Sequence, residues 1–258
     1  NVIEDEDLTY NTAKEINEIC TRLNINFIFK ASYDKANRSS INSFRGPGID
    51  KGMKIFKEIK KELNIQLITD VHTPIEAEKA SEICDVIQLP AFLARQTNLI
   101  EAMAKTKKII NIKKPQFLSP NQMFNVIEKF LHYGNNNLMI CERGTNFGYD
   151  NLIVDFLGFE TIKKSCYNSP LIFDVTHSLQ CREVNGTASS GRREQIVDLA
   201  LAGTSTKIAG IFIETHPNPK AALCDGPSAL PLSKLEDLLK QIIALDKLVK
   251  SFPKLQIN

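Results

Sequence analysis

Short apolar, β-branched runs alternate along this chain with longer stretches in which apolar residues recur every three or four positions. The runs are Asn26 to Phe29 (NFIF), Gln66 to Thr69 (QLIT), Asp85 to Gln88 (DVIQ), Ile109 to Ile112 (IINI), Leu138 to Cys141 (LMIC), Leu171 to Val175 (LIFDV) and Gly210 to Ile213 (GIFI). They predict seven strands. The intervening periodicity predicts helices over 9–23, 51–63, 120–133, 192–202 and 232–250. Strand and helix alternating at this spacing imply a parallel sheet with crossover helices. Because the runs are apolar throughout instead of alternating with polar residues, both faces of the sheet should be buried, as in a barrel or a doubly wound sheet. An open Rossmann-like sheet is the fold alternative. No GxGxxG follows the early strands and no Pro-, Gly- or Ser-rich linker divides the chain, so the reading is a single (β/α)8 TIM barrel domain over residues 1–258. Such a barrel needs eight strands. The chain opens at Asn1 directly before its first helix, so the first strand is expected to be missing from this sequence.

The length changes little in this picture, since α/β barrels commonly run to about 250 residues. Thirty-two Lys and Arg against thirty Asp and Glu leave a formal charge of +2. That balance provides no overall field for nucleic acid or an anionic membrane surface, so any anion site must be local. No apolar run reaches the roughly 18 residues of a membrane span. The six cysteines are scattered, with no CxxC pair and no signal peptide, which implies free thiols in a reducing, cytoplasmic setting.

The chemistry is expected where the strands end. Lys30 follows NFIF, Asp70 and His72 follow QLIT, Gln88 lies in VIQLP, and Lys113 and Lys114 follow IINI. Glu142 and Arg143 follow LMIC, His177 follows IFDV, and Glu214 and His216 follow IFI. In a parallel barrel these ends share one face, the face that carries catalysis. Any one of them could simply mark where a strand surfaces. Seven together point to a site. Near this face Lys30, Lys35, Arg38, Lys113 and Arg143 outnumber Asp70, Glu214 and Asp225. Two groups of cations suggest two phosphates, because a phosphate carries about −1.5 to −2 charges and Arg can grip it with paired hydrogen bonds. One group is the loop KASYDKANRSS after the first observed strand. The other is Lys113 with Arg143. A solvated Lys- and Ser-rich loop is the plain alternative for KANRSS. His177, Glu214 and Asp225 could ligate a divalent ion, yet each alone reads equally as a structural or hydrogen-bonding residue. Gly191-Arg-Arg193 reads either as a phosphate contact or as the solvated start of the next helix.

Eight segments, in order, carry a resemblance: FKASYDKANRSS (29–40), RGPG (45–48), TDVH (69–72), QLPAFLARQT (88–97), NIKKPQF (111–117), CERGTNFGYDNL (141–152), FDVTHSLQ (173–180) and CDGPSALPL (224–232). With these the chain resembles the 3-deoxy-D-manno-octulosonate 8-phosphate synthase family over nearly its whole length. The resemblance implies condensation of phosphoenolpyruvate with D-arabinose 5-phosphate and water, releasing inorganic phosphate. It implies that Lys113 and Arg143 hold the phosphoenolpyruvate phosphate, with Lys30, Ser32 and Lys35 near its carboxylate and Gln88 in the same substrate site. Asn37, Arg38 and Ser39 would meet the arabinose 5-phosphate. Asp70, His177, Glu214 and Asp225 would position water and aldehyde and move protons. The NVxE context of Asn1 resembles the metal-independent class, which implies no metal and no cofactor. The family also implies a homotetramer in which Arg95 reaches toward a neighbouring site. A related synthase acting on erythrose 4-phosphate, a Schiff-base aldolase using Lys113, and a silent sugar-phosphate binder are the rival readings.

Overall fold

The computed structural model describes residues 1–38, 40–146, 151–167, 169–181, 190–253 and 255. In chain order the first half contains α1 (Glu6–Arg22), β1 (Ile28–Lys30), α2 (Ile49–Leu63), β2 (Gln66–Asp70), α3 (Pro74–Ser81), β3 (Val86–Leu89), α4 (Thr97–Lys105) and β4 (Ile109–Lys113). The second half contains α5 (Met123–His132), β5 (Leu138–Glu142), α6 (Phe156–Ser165), β6 (Leu171–Asp174), the one-turn α7 (Val175–Ser178), β7 (Gln180–Cys181), β8 (Ser190–Gly191), α8 (Ile196–Ser205), β9 (Gly210–Phe212), β10 (Thr215–His216), β11 (Leu230–Pro231) and α9 (Leu235–Ser251).

The main sheet runs β1-β2-β3-β4-β5-β6-β9, every neighbouring pair parallel. Each crossover therefore steps one strand over in the same direction. A Rossmann-like sheet reverses its strand order at a switch point, and this sheet has no reversal, so the open-sheet alternative is excluded. A parallel sheet wound one way curls, because each strand is twisted against the last, and the outcome is an α/β barrel wall with helices outside. The wall is buried from both sides. Leu67, Ile87, Ile110, Ile112, Ile140 and Phe173 are inaccessible, and they pack with helix residues such as Phe56, Ile100, Phe130 and Phe159 in one core.

Helices start where the sequence supplies caps. Asp5 accepts the Leu8 N–H at 2.8 Å to open α1, and Thr73 with Glu76 forms a capping box ahead of Pro74 to open α3. The first residues take part in the wall. Val2 makes a parallel bridge to Ser32, with Ile3 N–H donating to Ser32 O at 2.8 Å and Ser32 N–H donating to Asn1 O at 2.9 Å. On its other side the Asn1 side chain donates to Thr215 O at 3.1 Å. Residues 1–3 thus lie across the seam between β1 and β9, at the strands' C-terminal ends. Below them the seam holds a cavity of about 480 Å³ lined by apolar side chains that include Phe27, Phe29, Ile68, Ile172, Ile211 and Ile213. Among the described residues no helix is long and apolar enough to cross a membrane, and all six cysteines are free thiols.

Candidate active site

The parallel strands deliver their last residues to one face, and there the charged side chains find one another. Lys30, ending β1, donates to Ser32 Oγ at 2.5 Å and lies 3.1 Å from Asp70 Oδ1 at the end of β2. Ser32 donates to the same Asp70 oxygen at 2.6 Å, and His72 Nε2 is 3.3 Å from the other. Burial pushes the Asp70 carboxyl up, but Lys30, His72 and Lys35 outweigh it and hold Asp70 well below the ordinary carboxylate range. The reciprocal effect appears on His72. Burial works against its charge, yet Asp70 and Glu76 raise its pKa.

Beyond β4, the buried Lys113 ammonium pairs with Asp174, the last residue of β6, and sits 3.3 Å from the centre of the Phe212 ring. Asp174 also accepts the His177 N–H at 3.0 Å, capping α7, and lies 2.8 Å from His177 Nδ1, an ion-pair distance without hydrogen-bond geometry. Although burial raises it, His177 and Lys113 drive the Asp174 pKa far down. Lys35 lies 3.1 Å from Asp225. Burial alone would lower the Lys35 pKa, but Cys224, Asp225, Glu214 and Asp70 hold it well above its ordinary value. Glu214, buried after β9, has its backbone N–H fixed by Thr176 Oγ1 at 2.9 Å, while its Oε1 finds no partner among the described residues. Gln88 is buried and accepts from Asn111 at 3.1 Å.

Three of the five strand-end cations therefore spend their charge on carboxylates. Two do not. Arg143 is buried, donates through Nη2 to Gln180 Oε1 at 2.8 Å, and among the described residues finds no hydrogen-bond partner for its buried Nη1. Burial lowers its pKa despite the more distant Asp174 and Asp225. Arg38, on the loop after β1, meets only backbone carbonyls among the described residues, donating to Phe44 O at 3.1 Å and Leu223 O at 2.9 Å. A buried cation without a counter-charge is costly unless a ligand provides one, so Arg143 marks a place where an anion is wanted, and the part-exposed Arg38 offers a second cation that no carboxylate pairs among the described residues.

The geometry brings together Asn1, Lys30, Ser32, Lys35, Asp70, Lys113, Arg143, His177, Glu214 and Asp225 around the strand ends. Arg38 is at the edge through its contact with Leu223, and Asn37 beside it is exposed. Ser39 lies outside the described residues. Arg95 is exposed on the loop before α4. Gly191-Arg-Arg193 does start the next helix, Arg193 opening the 3-10 turn that leads into α8, but its expected solvation needs correction. Arg193 is part-buried and donates to Ala229 O at 2.8 Å and to Gly226 O, so it clasps the turn behind Asp225 and is neither solvated nor aimed at a ligand.

Asp174, Gln180 and the Lys114–Glu142 pair are additional to the sequence reading. Asp174 carried a signal, an Asp inside an apolar run with His three residues on, which is the spacing of a capped helical turn. Lys114 is wholly buried and donates to Pro115 O at 3.2 Å, Leu118 O at 3.3 Å and Thr145 Oγ1 at 3.1 Å, with Glu142 Oε1 at 3.5 Å. Glu142 in turn accepts the backbone N–H groups of Arg143 and Gly144 at 2.9 and 2.7 Å. Among the described residues no three His, Cys, Asp or Glu side chains gather at the spacing of a metal site.

Comparison with known proteins gives a family over almost the whole chain. Residues 1–251 match the DAHP synthetase I family. All 258 residues align at 60% identity with a 2-dehydro-3-deoxyphosphooctonate aldolase of Enterobacter sp. (strain 638), covering 91% of that protein. The chain is also 59% identical over its full length to a protein of the same name from Parasynechococcus marenigrum (strain WH8102), again covering 91% of it. A third, from Prochlorococcus marinus (strain MIT 9313), is 58% identical with the same coverage.

Proposed function

The chain belongs to the DAHP synthetase I family, and from that premise we infer that it is a transferase condensing phosphoenolpyruvate with D-arabinose 5-phosphate and water to give 3-deoxy-D-manno-octulosonate 8-phosphate and inorganic phosphate. Full-length identity near 60% to relatives named for this reaction supports the activity. The observation that carries it to the site is the pair of arginines left without carboxylate partners, since the reaction brings two phosphorylated substrates together. Arg143, with Lys113 behind it, takes the phosphoenolpyruvate phosphate. Lys30, Ser32 and Lys35 face its carboxylate, and Gln88 lines the same pocket. Arg38 takes the sugar phosphate with Ser39, and Asn37 meets the sugar.

Carbon 3 of the enol attacks the aldehyde. Water adds to the cationic carbon 2, and phosphate leaves. Asp70, His177, Glu214 and Asp225 position the aldehyde and the water and carry the protons. A Schiff base on Lys113 is disfavoured, because an amine nucleophile must be unprotonated and the Asp174 carboxylate raises the Lys113 pKa against its burial. Measuring phosphate release from phosphoenolpyruvate with arabinose 5-phosphate and erythrose 4-phosphate in parallel tests the reading. Release with erythrose 4-phosphate alone would move the chain to the seven-carbon reaction.

The reaction runs without a metal. Asn1 stands beside Glu214 and offers a neutral amide whose buried Oδ1 has no partner among the described residues. An amide oxygen is a weak ligand beside a thiolate, so Asn1, His177, Glu214 and Asp225 do not fit a tightly held divalent ion. Asn1 instead offers its oxygen to the water or to the aldehyde region. An eighth parallel strand filling the seam between β1 and β9 is the finer architectural reading, supported by the seam's apolar lining and the parallel bridge of Val2 to Ser32. A cytoplasmic homotetramer is the finer assembly reading. The free thiols support the compartment, and the exposure of Phe92 (50%) and Phe117 (54%) on the connections following β3 and β4 supports an interface between copies.

A further inference from the structure

Arg143 and Asp225 reach the site from different parts of the barrel, and one neutral side chain touches both. Gln180 Oε1 accepts from Arg143 Nη2 at 2.8 Å, and its Nε2 donates to Asp225 Oδ1 at 2.9 Å. The other Asp225 oxygen lies 3.1 Å from Lys35. A continuous polar chain, Arg143 to Gln180 to Asp225 to Lys35, thus runs from the phosphoenolpyruvate arginine to the loop that carries Arg38. Its polarity is constrained. A guanidinium can only donate and a carboxylate can only accept, so the link between them must accept at one end and donate at the other. A primary amide does this without adding charge.

The backbone around this link is fixed independently. Gln180 pairs antiparallel with Gly191, and Gly191 is pressed against the turn following Asp225. A Cβ at position 191 would lie 2.6 Å from Ser228 N and 2.8 Å from Pro227 O, which is closer than any side chain allows. Arg193 closes the same turn through Ala229 O and Gly226 O. Asp225 itself has φ +53°, so its side chain leaves the turn in a direction the turn alone would not favour, and Lys35 and Gln180 meet it there.

We propose that Gln180 is a positioning residue for the condensation, its amide holding the Asp225 carboxylate in register with the substrate phosphate bound on Arg143. The proposal rests on the assignment of Arg143 to phosphoenolpyruvate made above. Loss of the link leaves both charged groups in place but frees their relative position. The damage should therefore fall on kcat more than on either KM, since misplacement of about an ångström can cost roughly a hundredfold in rate.

Three proteins decide it: the full chain, Gln180→Met and the isosteric Gln180→Glu. In Gln180→Met, kcat should fall roughly ten- to a hundredfold, with both KM values changing by less than about threefold. In Gln180→Glu, one oxygen still accepts from Arg143, but the other faces Asp225, and two carboxylates this close share a proton. The protonated form restores the donor. The activity of Gln180→Glu relative to the unmodified protein should therefore rise as pH is lowered from about 8 to about 6, a recovery no purely packing role would produce. Unchanged kcat in Gln180→Met, or a Gln180→Glu deficit constant across pH, overturns the proposal. If Gln180→Met does not fold, the pH ratio of the isosteric variant still decides. Absence of phosphate release by the unmodified chain would instead overturn the functional reading on which the proposal stands.

Discussion

Replacing Arg143 by Ala is the sharpest test of the charge arrangement, because the structure predicts a large loss of binding with little change in stability. Among the described residues the guanidinium makes one charged hydrogen bond, to Gln180, and buries a second donor nitrogen with no partner. A bound phosphate would satisfy that donor. Hydrogen bonds to charged groups contribute about 1.5 to 3 kcal/mol, so Arg143→Ala should weaken phosphoenolpyruvate roughly ten- to a hundredfold. In the free protein the balance differs. The substitution strands Gln180 Oε1, at about 1 to 3 kcal/mol, but it also removes a buried cation that has no adjacent carboxylate, a cost of similar size. The melting temperature should therefore stay within a few degrees of the unmodified protein while affinity collapses. Calorimetric titration with phosphoenolpyruvate alone, beside a thermal melt, reads both quantities. Arg38→Ala provides the counterpart, raising the KM for arabinose 5-phosphate and leaving phosphoenolpyruvate affinity alone. Should Arg143→Ala bind phosphoenolpyruvate normally while Arg38→Ala loses it, the two pockets are reversed.

Other consequences are open to direct measurement. Arabinose 5-phosphate should be turned over roughly a hundredfold faster than erythrose 4-phosphate, because one carbon changes the reach from Arg38 to the reacting aldehyde; equal phosphate release with both sugars refutes this. Activity should survive EDTA, and loss with recovery on adding a divalent ion would make His177, Glu214 and Asp225 working ligands. Lys114→Met leaves Glu142 and two carbonyls buried without their ammonium, which costs about 3 to 5 kcal/mol and should lower the melting temperature by roughly 10 °C; an unchanged melt contradicts that role. Asp174 has a depressed pKa, so its contribution to stability is present above the ordinary carboxylate range near 4 and is lost as pH falls through the depressed value. Asp174→Asn should therefore flatten the acid limb of a stability profile, and a parallel-shifted limb of unchanged slope would count against the ion pair.

The strands were legible because their signal is local. Each is a short apolar run, and the observed β2, β3, β4 and β5 fall within a residue of the runs QLIT, DVIQ, IINI and LMIC. The longer amphipathic helices were legible for the same reason. Missing from the reading were α3, α4 and α6, of eight to ten residues each. Their stripes are too short to stand out, and α3 was announced instead by its capping box, Thr73 with Glu76. Site residues were legible as a set, since charge at the end of an apolar run is visible in sequence. Their partners were not. Which carboxylate meets which lysine depends on neighbours across the sheet and on loops returning from far along the chain. Lys113 with Asp174, Lys35 with Asp225 and Arg143 with Gln180 are separated by 61, 190 and 37 positions.

That pairing changes what the carboxylates can do. The surplus of cations counted along the sequence suggests two basic groups, one on the KANRSS loop and one of Lys113 with Arg143. In the folded site Lys30 with Asp70, Lys113 with Asp174 and Lys35 with Asp225 cancel locally, and the remaining positive charge is concentrated on Arg143 and Arg38. Anion binding is thereby restricted to two points, as a reaction between two phosphorylated partners requires. The same pairing holds Asp70 and Asp225 ionised far below neutral pH, and a carboxylate so stabilised is a poor proton acceptor, because base strength in catalysis follows pKa. Within the proposed set these two aspartates therefore serve first to hold lysines, aldehyde or water in place, and proton movement rests more on the other members. His177 stands apart from both, with its Nδ1 2.8 Å from Asp174, so on the proposed reading it works as one unit with Asp174 and separately from Asp70. Asp174→Asn and His177→Gln should accordingly lower kcat together and non-additively, whereas loss of Asp70 should add independently to either.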